Sequence, residues 1–276
     1  MIPIRNFYLL VDALDFIEGR LAESFTLADV ARACHCSLSC LQKLFRYASH
    51  HALKEYVDKR RMTCAARDLA GSGLTVTEIA CKYQYNSPEV FSRAFVRVWG
   101  VTPSAFTRCW HFTGIFPRMI LTDREGQMMM RKRVDISELY DVLRQRQNTY
   151  VLCFDIVGLS PINQISREAG DAAIRECLRR IDAQADLDMP LFRIGGDEFA
   201  LVTGCDDAEK TEKIARLVLD QNGQAIECAG RRIPLAMRAG AIRLASGQLR
   251  FSDLFGHMQG AIGAAREQTR DFALVE

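Results

Sequence analysis

Phe192-Arg193-Ile194-Gly195-Gly196-Asp197-Glu198-Phe199-Ala200-Leu201-Val202 is the stretch that decides how the second half of the chain folds. Two short apolar runs flank Gly195 to Glu198, the pattern of a β-hairpin with its turn in the middle. Gly195 and Gly196 carry no Cβ, so the expectation is a backbone that takes positive φ and lies directly against a ligand. Asp197 and Glu198 then stand at an exposed tip, and adjacent carboxylates suit a hard divalent cation and the phosphates it carries. Four residues alone fit an ordinary hairpin with solvated acids equally well. The upstream run Val151-Leu152-Cys153-Phe154 narrows the choice, because it ends at Asp155 as a buried strand delivering a carboxylate at its tip would.

Working outward, the pattern alternates between strand and helix. A strand is expected over 150–154, a helix around Asp171 to Ala183, the hairpin around Gly195, and a helix from Asp206 to Leu219. Strands follow near Arg232 to Leu244, with a last helix from Phe251 to Arg266. Such alternation indicates an α/β domain with a central sheet.

These residues together resemble the GGDEF family, the diguanylate cyclases, whose signature stands letter for letter at Gly195 to Phe199. The resemblance runs from about residue 121 to the end, with an echo of the family's opening segment at Leu121-Thr122 and Arg131-Lys132-Arg133 behind it. It implies two divalent cations, Mg or Mn, held by Asp155, the backbone carbonyl of Ile156 and Asp197. Asp197 and Glu198 become the catalytic pair, Glu198 adding a ligand or holding charge beside the metal. Asn163 and Asp171 correspond to the family's guanine-reading residues, Gly195 and Gly196 to the nucleotide turn, and Arg266 and Arg270 to its phosphate-binding bases. The implied reaction joins two GTP molecules into cyclic di-GMP, one on each subunit of a homodimer. Departures are visible as well. Val157-Gly158-Leu159-Ser160 replaces the family's common acid, His, Phe and Lys run. Asp186 and Met189 stand where its inhibitory Arg and Asp would lie. Two readings therefore stay open, an active cyclase and a domain that binds GTP without turnover.

The first half reads differently. Residues 7–22 show helical spacing, and two similar units follow about fifty residues apart, a repeat worth seeking early. The first runs from Leu27-Ala28-Asp29-Val30-Ala31 through a turn at Cys34-His35-Cys36 into a helix opening near Ser37. The second runs from Val76-Thr77-Glu78-Ile79-Ala80 through Tyr85-Asn86 into a helix capped by Ser87, with Pro88 and Glu89 in its first turn. A long helix from Ala52 to Ala70 joins them. In the second helices Leu41, Leu44 and Phe45, and Phe91, Phe95 and Val98, form apolar stripes. Ser39, Gln42, Lys43 and Arg46 are left outside on the first, and Glu89, Ser92, Arg93 and Arg97 on the second, a donor-rich surface that a major groove admits. With Phe91-Ser92-Arg93-Ala94-Phe95 and Gly100-Val101-Thr102-Pro103-Ser104, this region resembles the AraC/XylS family over roughly residues 7–112. Those eight outward residues are the expected DNA contacts. The family's usual glycine in each turn is missing, with His35 and Gln84 near those places.

Composition fits this division. The 276 residues favour two domains with cores of their own. Residues 1–118 hold 15 Lys and Arg against 10 Asp and Glu, while the remainder holds 21 against 24, so a polyanion partner is expected for the first half alone. The 10 cysteines form no repeated framework, which suits reduced thiols in a cytoplasm, and Cys34, His35, Cys36 and Cys40 are read as structural rather than as a zinc site. No apolar run is long enough to cross a bilayer, and the N-terminus is not of signal-peptide type. Met128-Met129-Met130-Arg131-Lys132-Arg133 is too short for a membrane or nucleic-acid patch, and is expected to open the helix from Ser137 to Arg146.

The fold expected is α followed by α/β: an all-helical double helix-turn-helix domain over 1–112, a linker over 113–120, and a GGDEF-type domain with a central sheet over 121–276. The function expected is a cytoplasmic transcription regulator that binds double-stranded DNA and carries a module for GTP or cyclic di-GMP, without a membrane partner. The alternative is a diguanylate cyclase whose helical domain serves dimerisation or localisation. A bundle built only to dimerise would expose apolar rather than donor-rich faces.

Overall fold

The structure, a computed structural model, describes residues 4–49, 51–110, 114–124, 127–146, 148–186, 188–228, 230–244, 251–267 and 271–275. They form two compact units, Met1–Asp135 and Ile136–Glu276.

The first unit begins with α1 (Ile4–Glu18), which stops short of the expected residue 22, although Leu21 beyond its end is still buried. Then come α2 (Leu27–Ala33), α3 (Leu38–Ser49), the long α4 (Leu53–Gly71), α5 (Val76–Lys82), α6 (Pro88–Trp99) and α7 (Pro103–Cys109). The repeat is exact in its local chemistry. Thr26 and Thr75 each cap a short helix by accepting from the backbone of Asp29 and Glu78, whose carboxylates bond back to the cap nitrogens. Such reciprocal capping boxes satisfy two otherwise orphaned donors at each helix start. Ser87 caps α6 through Val90 N with Pro88 behind it, as its sequence requires.

Both turns need one residue in the left-handed region, and His35 (φ 51°) and Gln84 (φ 66°) supply it without a glycine. The missing glycines therefore leave the turn geometry intact and only raise its energy. Phe95, Trp99 and Phe106 close the second repeat as an aromatic cluster, with Trp99 also bonded to the Met62 carbonyl through its indole nitrogen at 3.2 Å.

Behind α7 the chain forms a two-stranded antiparallel ribbon, β1 (Met119–Arg124) and β2 (Gln127–Val134). This corrects the expectation that residues 128–133 open a helix. The run alternates poorly at helical period, and it finds backbone partners across the ribbon instead, Met119 opposite Val134 and Thr122 opposite Arg131.

The second unit starts with α8 (Ser137–Gln145) and then β3 (Thr149–Ile156), every residue of which is buried. Next come α9 (Leu159–Ile165), α10 (Arg167–Asp182), β4 (Leu191–Arg193), β5 (Glu198–Val202) and α11 (Ala208–Leu219). The side ribbon β6 (Ala225–Cys228) and β7 (Arg231–Pro234), β8 (Met237–Leu244), α12 (Phe251–Glu267) and β9 (Phe272–Val275) complete it. Among the described residues the main sheet has the order β4-β5-β3-β8-β9, antiparallel throughout except for the parallel β8–β9 pair.

β3 sits at its centre because Val151, Leu152, Cys153 and Phe154 leave no polar face to turn toward water. Phe154 stands opposite Phe199, and burial of each stabilises the unit by about 1.5–3 kcal/mol. α12 lies so close to β8 that a Cβ on Gly240 would sit 2.2 Å from the Ala261 carbonyl oxygen.

Two stability measurements follow from this backbone. His35→Gly relieves an unfavourable left-handed residue and raises the unfolding free energy by about 0.5–1 kcal/mol, the glycine's own chain entropy offsetting part of the gain. Gly240→Ala forces a backbone clash and lowers it by about 1–3 kcal/mol, both read from denaturant melts of the whole chain.

Candidate functional site

The hairpin and β3 bring three carboxylates together. Asp155 and Glu198 are register partners across β3 and β5, and Asp197 precedes Glu198 in the turn. One oxygen from each of Asp155, Asp197 and Glu198 lies within 4.8 Å of the others. Asp155 is 2% exposed and Glu198 9%. The Ile156 amide donates to the Asp197 carbonyl at 2.9 Å, which fixes the turn against the end of β3.

Gly195 and Gly196 are not in the left-handed region, which corrects the expectation of positive φ there. A Cβ on Gly195 would lie 2.5 Å from the Glu198 carboxylate, so any side chain there would have to displace that group. Arg193 sits under the turn, donating from Nε to the Gly195 carbonyl at 3.1 Å and from Nη2 to the Gly196 carbonyl at 2.5 Å. Burial lowers the Arg193 guanidinium to about 10 despite the opposing charges of Asp171 and Asp197.

The electrostatics are those of crowded acids. Asp197 is raised above the ordinary 3.8, first by burial and then by the charge of Asp155. Glu198 is raised from 4.5 by burial, with Asp197 and Asp155 adding to it, while the Gln259 amide pulls the other way through a 2.5 Å bond. Arg266 on α12 answers this charge: its guanidinium meets Asp155 at 2.7 and 3.2 Å and reaches within 3.8 Å of Glu198. The hydrogen bond to Asp155 in turn raises Arg266. Three converging oxygen donors under partial desolvation fit a hard divalent cation, Mg²⁺ or Mn²⁺.

Asn163 is exposed on α9, and Gly170 on α10 lies against it, so close that a Cβ there would be 1.8 Å from the Asn163 side-chain oxygen. Asp171 follows Gly170, half-buried and facing Arg193. The structure therefore places Asn163 and Asp171 on adjoining helices. Arg270 lies outside the described residues.

In the first unit, Ser39, Gln42, Lys43 and Arg46 are exposed on α3. Glu89, Arg93 and Arg97 are exposed on α6, and Ser92 is half-buried. Tyr47, 65% exposed, extends the α3 face one turn beyond Lys43, and Val90 and Val96 lie among the donors of α6. Their helical spacing from the named residues was the available signal. Arg193 could be suspected from its place next to the turn, whereas Gln259 carries no local mark. Among the described residues no helix is long and apolar enough to cross a membrane.

Comparison with known proteins adds two matches. A family model described as a diguanylate cyclase GGDEF domain matches residues 121–271, and one described as a helix-turn-helix domain matches residues 30–108. The chain is 38% identical over 106 residues to the transposon Tn10 TetD protein of Escherichia coli, covering 38% of this chain and 77% of that protein. It is 34% identical over 98 residues to the HTH-type transcriptional activator AarP of Providencia stuartii, covering 36% of this chain and 73% of that protein. A solved structure of the diguanylate cyclase SiaD from Pseudomonas aeruginosa, determined with its activator SiaC, is 17% identical with a TM-score of 0.46. The match covers 50% of this chain and 57% of that one, so the chain spans little more than half of that cyclase.

The carboxylate cluster sets a pH dependence. With its pKa raised in the folded state, Asp197 keeps its proton longer there than in the unfolded chain, so its contribution to stability falls as pH rises through that interval. Asp197→Asn removes the penalty. In chelator the variant melts above the wild type at pH 7, by about 1 kcal/mol on the usual scale of single substitutions. The difference closes as pH drops below the unfolded value of 3.8.

Proposed function

Because the chain belongs to the GGDEF diguanylate cyclase family through residues 121–271 and to the AraC-type helix-turn-helix regulators through its first part, we propose that it is a DNA-binding transcription regulator whose second domain takes GTP with a divalent cation. The domain spans proposed are a double helix-turn-helix over 1–112, a connecting segment over 113–120 and the nucleotide domain over 121–276. The observation that carries the reading is the duplication on α3 and α6. Two helices in equivalent capped repeats expose Gln42, Lys43 and Arg46, and Arg93 and Arg97. A helix of that kind fits a major groove, its guanidinium and amide groups pairing with base edges and its lysine with phosphate.

In the second domain Asp155, Asp197, the Ile156 carbonyl and Glu198 would hold the cation, Mg²⁺ or Mn²⁺. The bound ion would supply charge neutralisation at a triphosphate and polarise the attacking hydroxyl. The chain's own residues bind and orient. Arg193 holds the glycine turn at a fixed height, so that the Gly195-Gly196 backbone can approach phosphate. Asn163 and Asp171 offer an acceptor and donor set to a guanine edge. Arg266 can leave Asp155 for a phosphate oxygen when a cation takes over the neutralisation, and Arg270 adds a second guanidinium.

A second reading is favoured by the intact triad of carboxylates: the domain also turns GTP over to cyclic di-GMP, in a homodimer that brings two sites together. Against it stands Ser160, where the family has a phosphate-directed Lys. A cytoplasmic location fits both readings.

GTP with Mg²⁺ raises the melting temperature of the full chain, by an amount equivalent to about 2.7 kcal/mol at about 100 times Kd. Asp155→Asn and Asp197→Asn each abolish that rise while duplex binding is kept, and calorimetry without heat at high GTP and Mg²⁺ overturns the nucleotide half. Arg93→Ala costs about 1–3 kcal/mol against the preferred duplex and relaxes preference at one position, whereas a salt-independent affinity overturns the DNA half. Any cyclase activity is not throttled by added cyclic di-GMP through the place of Asp186 and Met189, and strong non-competitive inhibition in a product-addition assay contradicts that.

A further inference from the structure

Glu198 enters the carboxylate cluster with its two oxygens in different surroundings. Oε2 accepts a 2.5 Å hydrogen bond from the Gln259 side-chain amide on α12. The turn closes in on the same oxygen, which would lie 2.5 Å from a Cβ on Gly195. Oε1 is turned toward the rest of the cluster. It lies 3.8 Å from Arg266 Nη2, the nitrogen that meets Asp155 Oδ1 at 2.7 Å. One oxygen of Glu198 is therefore committed to a protein donor, and the other faces the group shared with Asp155.

Packing remote from the cluster sets where Gln259 stands. α12 buries Leu254, Met258, Ala261, Ile262 and Ala265, and the Ala261 carbonyl seats against Gly240 on β8. Gln259 is half-buried beside that apolar face. Arg266, about two helical turns further on, shares its side of the helix. The two side chains differ in what they give. Arg266 is a charged fork, 45% exposed, that can exchange partners. Gln259 is a neutral donor, so it orients a carboxylate oxygen without cancelling the charge that a cation needs.

We propose that Gln259 is a positioning residue that makes Glu198 a one-oxygen ligand and thereby sets the choice of divalent cation, Mg²⁺ over Ca²⁺. The inference rests on the cation reading above and adds to it a selectivity determinant on α12. Ca²⁺ takes about six to eight oxygens and readily accepts both from one carboxylate, whereas Mg²⁺ demands a stricter octahedron. An oxygen already engaged by a short hydrogen bond is the poorer second ligand, so the arrangement penalises the larger ion. Partners of this kind, standing behind the ligands themselves, govern metal affinity by about 10–100-fold.

The test follows thermal melting of the full chain with a GTP analogue whose methylene α,β-bridge prevents turnover, while Mg²⁺ or Ca²⁺ is titrated separately. The concentration at half of each rise gives an apparent affinity, and the ratio of the two affinities is the readout. Gln259→Met keeps the length of the side chain and removes the donor, and it lowers the ratio of Mg²⁺ to Ca²⁺ affinity by about 10-fold. Equal weakening of both cations shows a structural part only and overturns the proposal, as does an unchanged or raised ratio. A wild type whose melting responds to neither cation overturns the cation reading, and this proposal with it. Should Gln259→Met fail to fold, Gln259→Asn decides, since its amide is one methylene too short to reach Oε2. A ratio shifted toward Ca²⁺ upholds the selectivity, and an unshifted one refutes it.

Discussion

Asp155 and Glu198 face one another across the central strand β3 and its neighbour β5 in the second unit, and Asp197 stands beside them. Like charges directly opposite in a sheet destabilise it, so the rest of this unit can be read as what makes the arrangement tolerable. β3 is apolar on both faces and therefore buried, which fixes where Asp155 emerges. Arg193 ties down the turn that carries Asp197, and Gln259 and Arg266 reach across from α12 to share the charge. α12 is near enough because Gly240 gives it no side chain to rest on. The crowding is visible as two raised carboxylates, Asp197 and Glu198, with Arg266 as the guanidinium bonded to the third.

The first unit solves a different problem, that of holding short helices at fixed angles. Helices as short as α2 and α5 are marginal by themselves. Capping boxes at both starts, left-handed residues at both ends and buried Val30 and Ile79 make them persist. The buried Glu18–Arg60 pair adds little net stability as an ion pair, since desolvation offsets most of the attraction. Its effect is positional, because Arg60 and Tyr56 also hold the backbone of the segment that leads into the ribbon.

Much of this was legible in the chain itself. The apolar run before Asp155, the Gly-Gly-Asp-Glu turn and the Ser87-Pro88-Glu89 start are local signals with local causes, and each produced the element expected. The two repeats could be aligned by eye because capping and apolar spacing repeat together. Residues 128–133 went astray since a methionine and arginine run has no strong period, and its backbone pairs with the preceding strand instead.

What the sequence determined by itself, then, was the type and order of the main elements and the identity of the carboxylates, because propensity, capping and turn chemistry act over a few residues. Tertiary structure alone decided which distant groups meet. Arg266 lies 111 residues from the Asp155 it neutralises, Gln259 lies 61 from Glu198, and Arg60 lies 56 from the Phe116 carbonyl. Nor could the chain reveal that Gly195 lies against the Glu198 carboxylate, or that Gly240 makes room for a helix. Such facts depend on where packed layers bring backbones within a few ångströms of each other, and no local stretch encodes that distance.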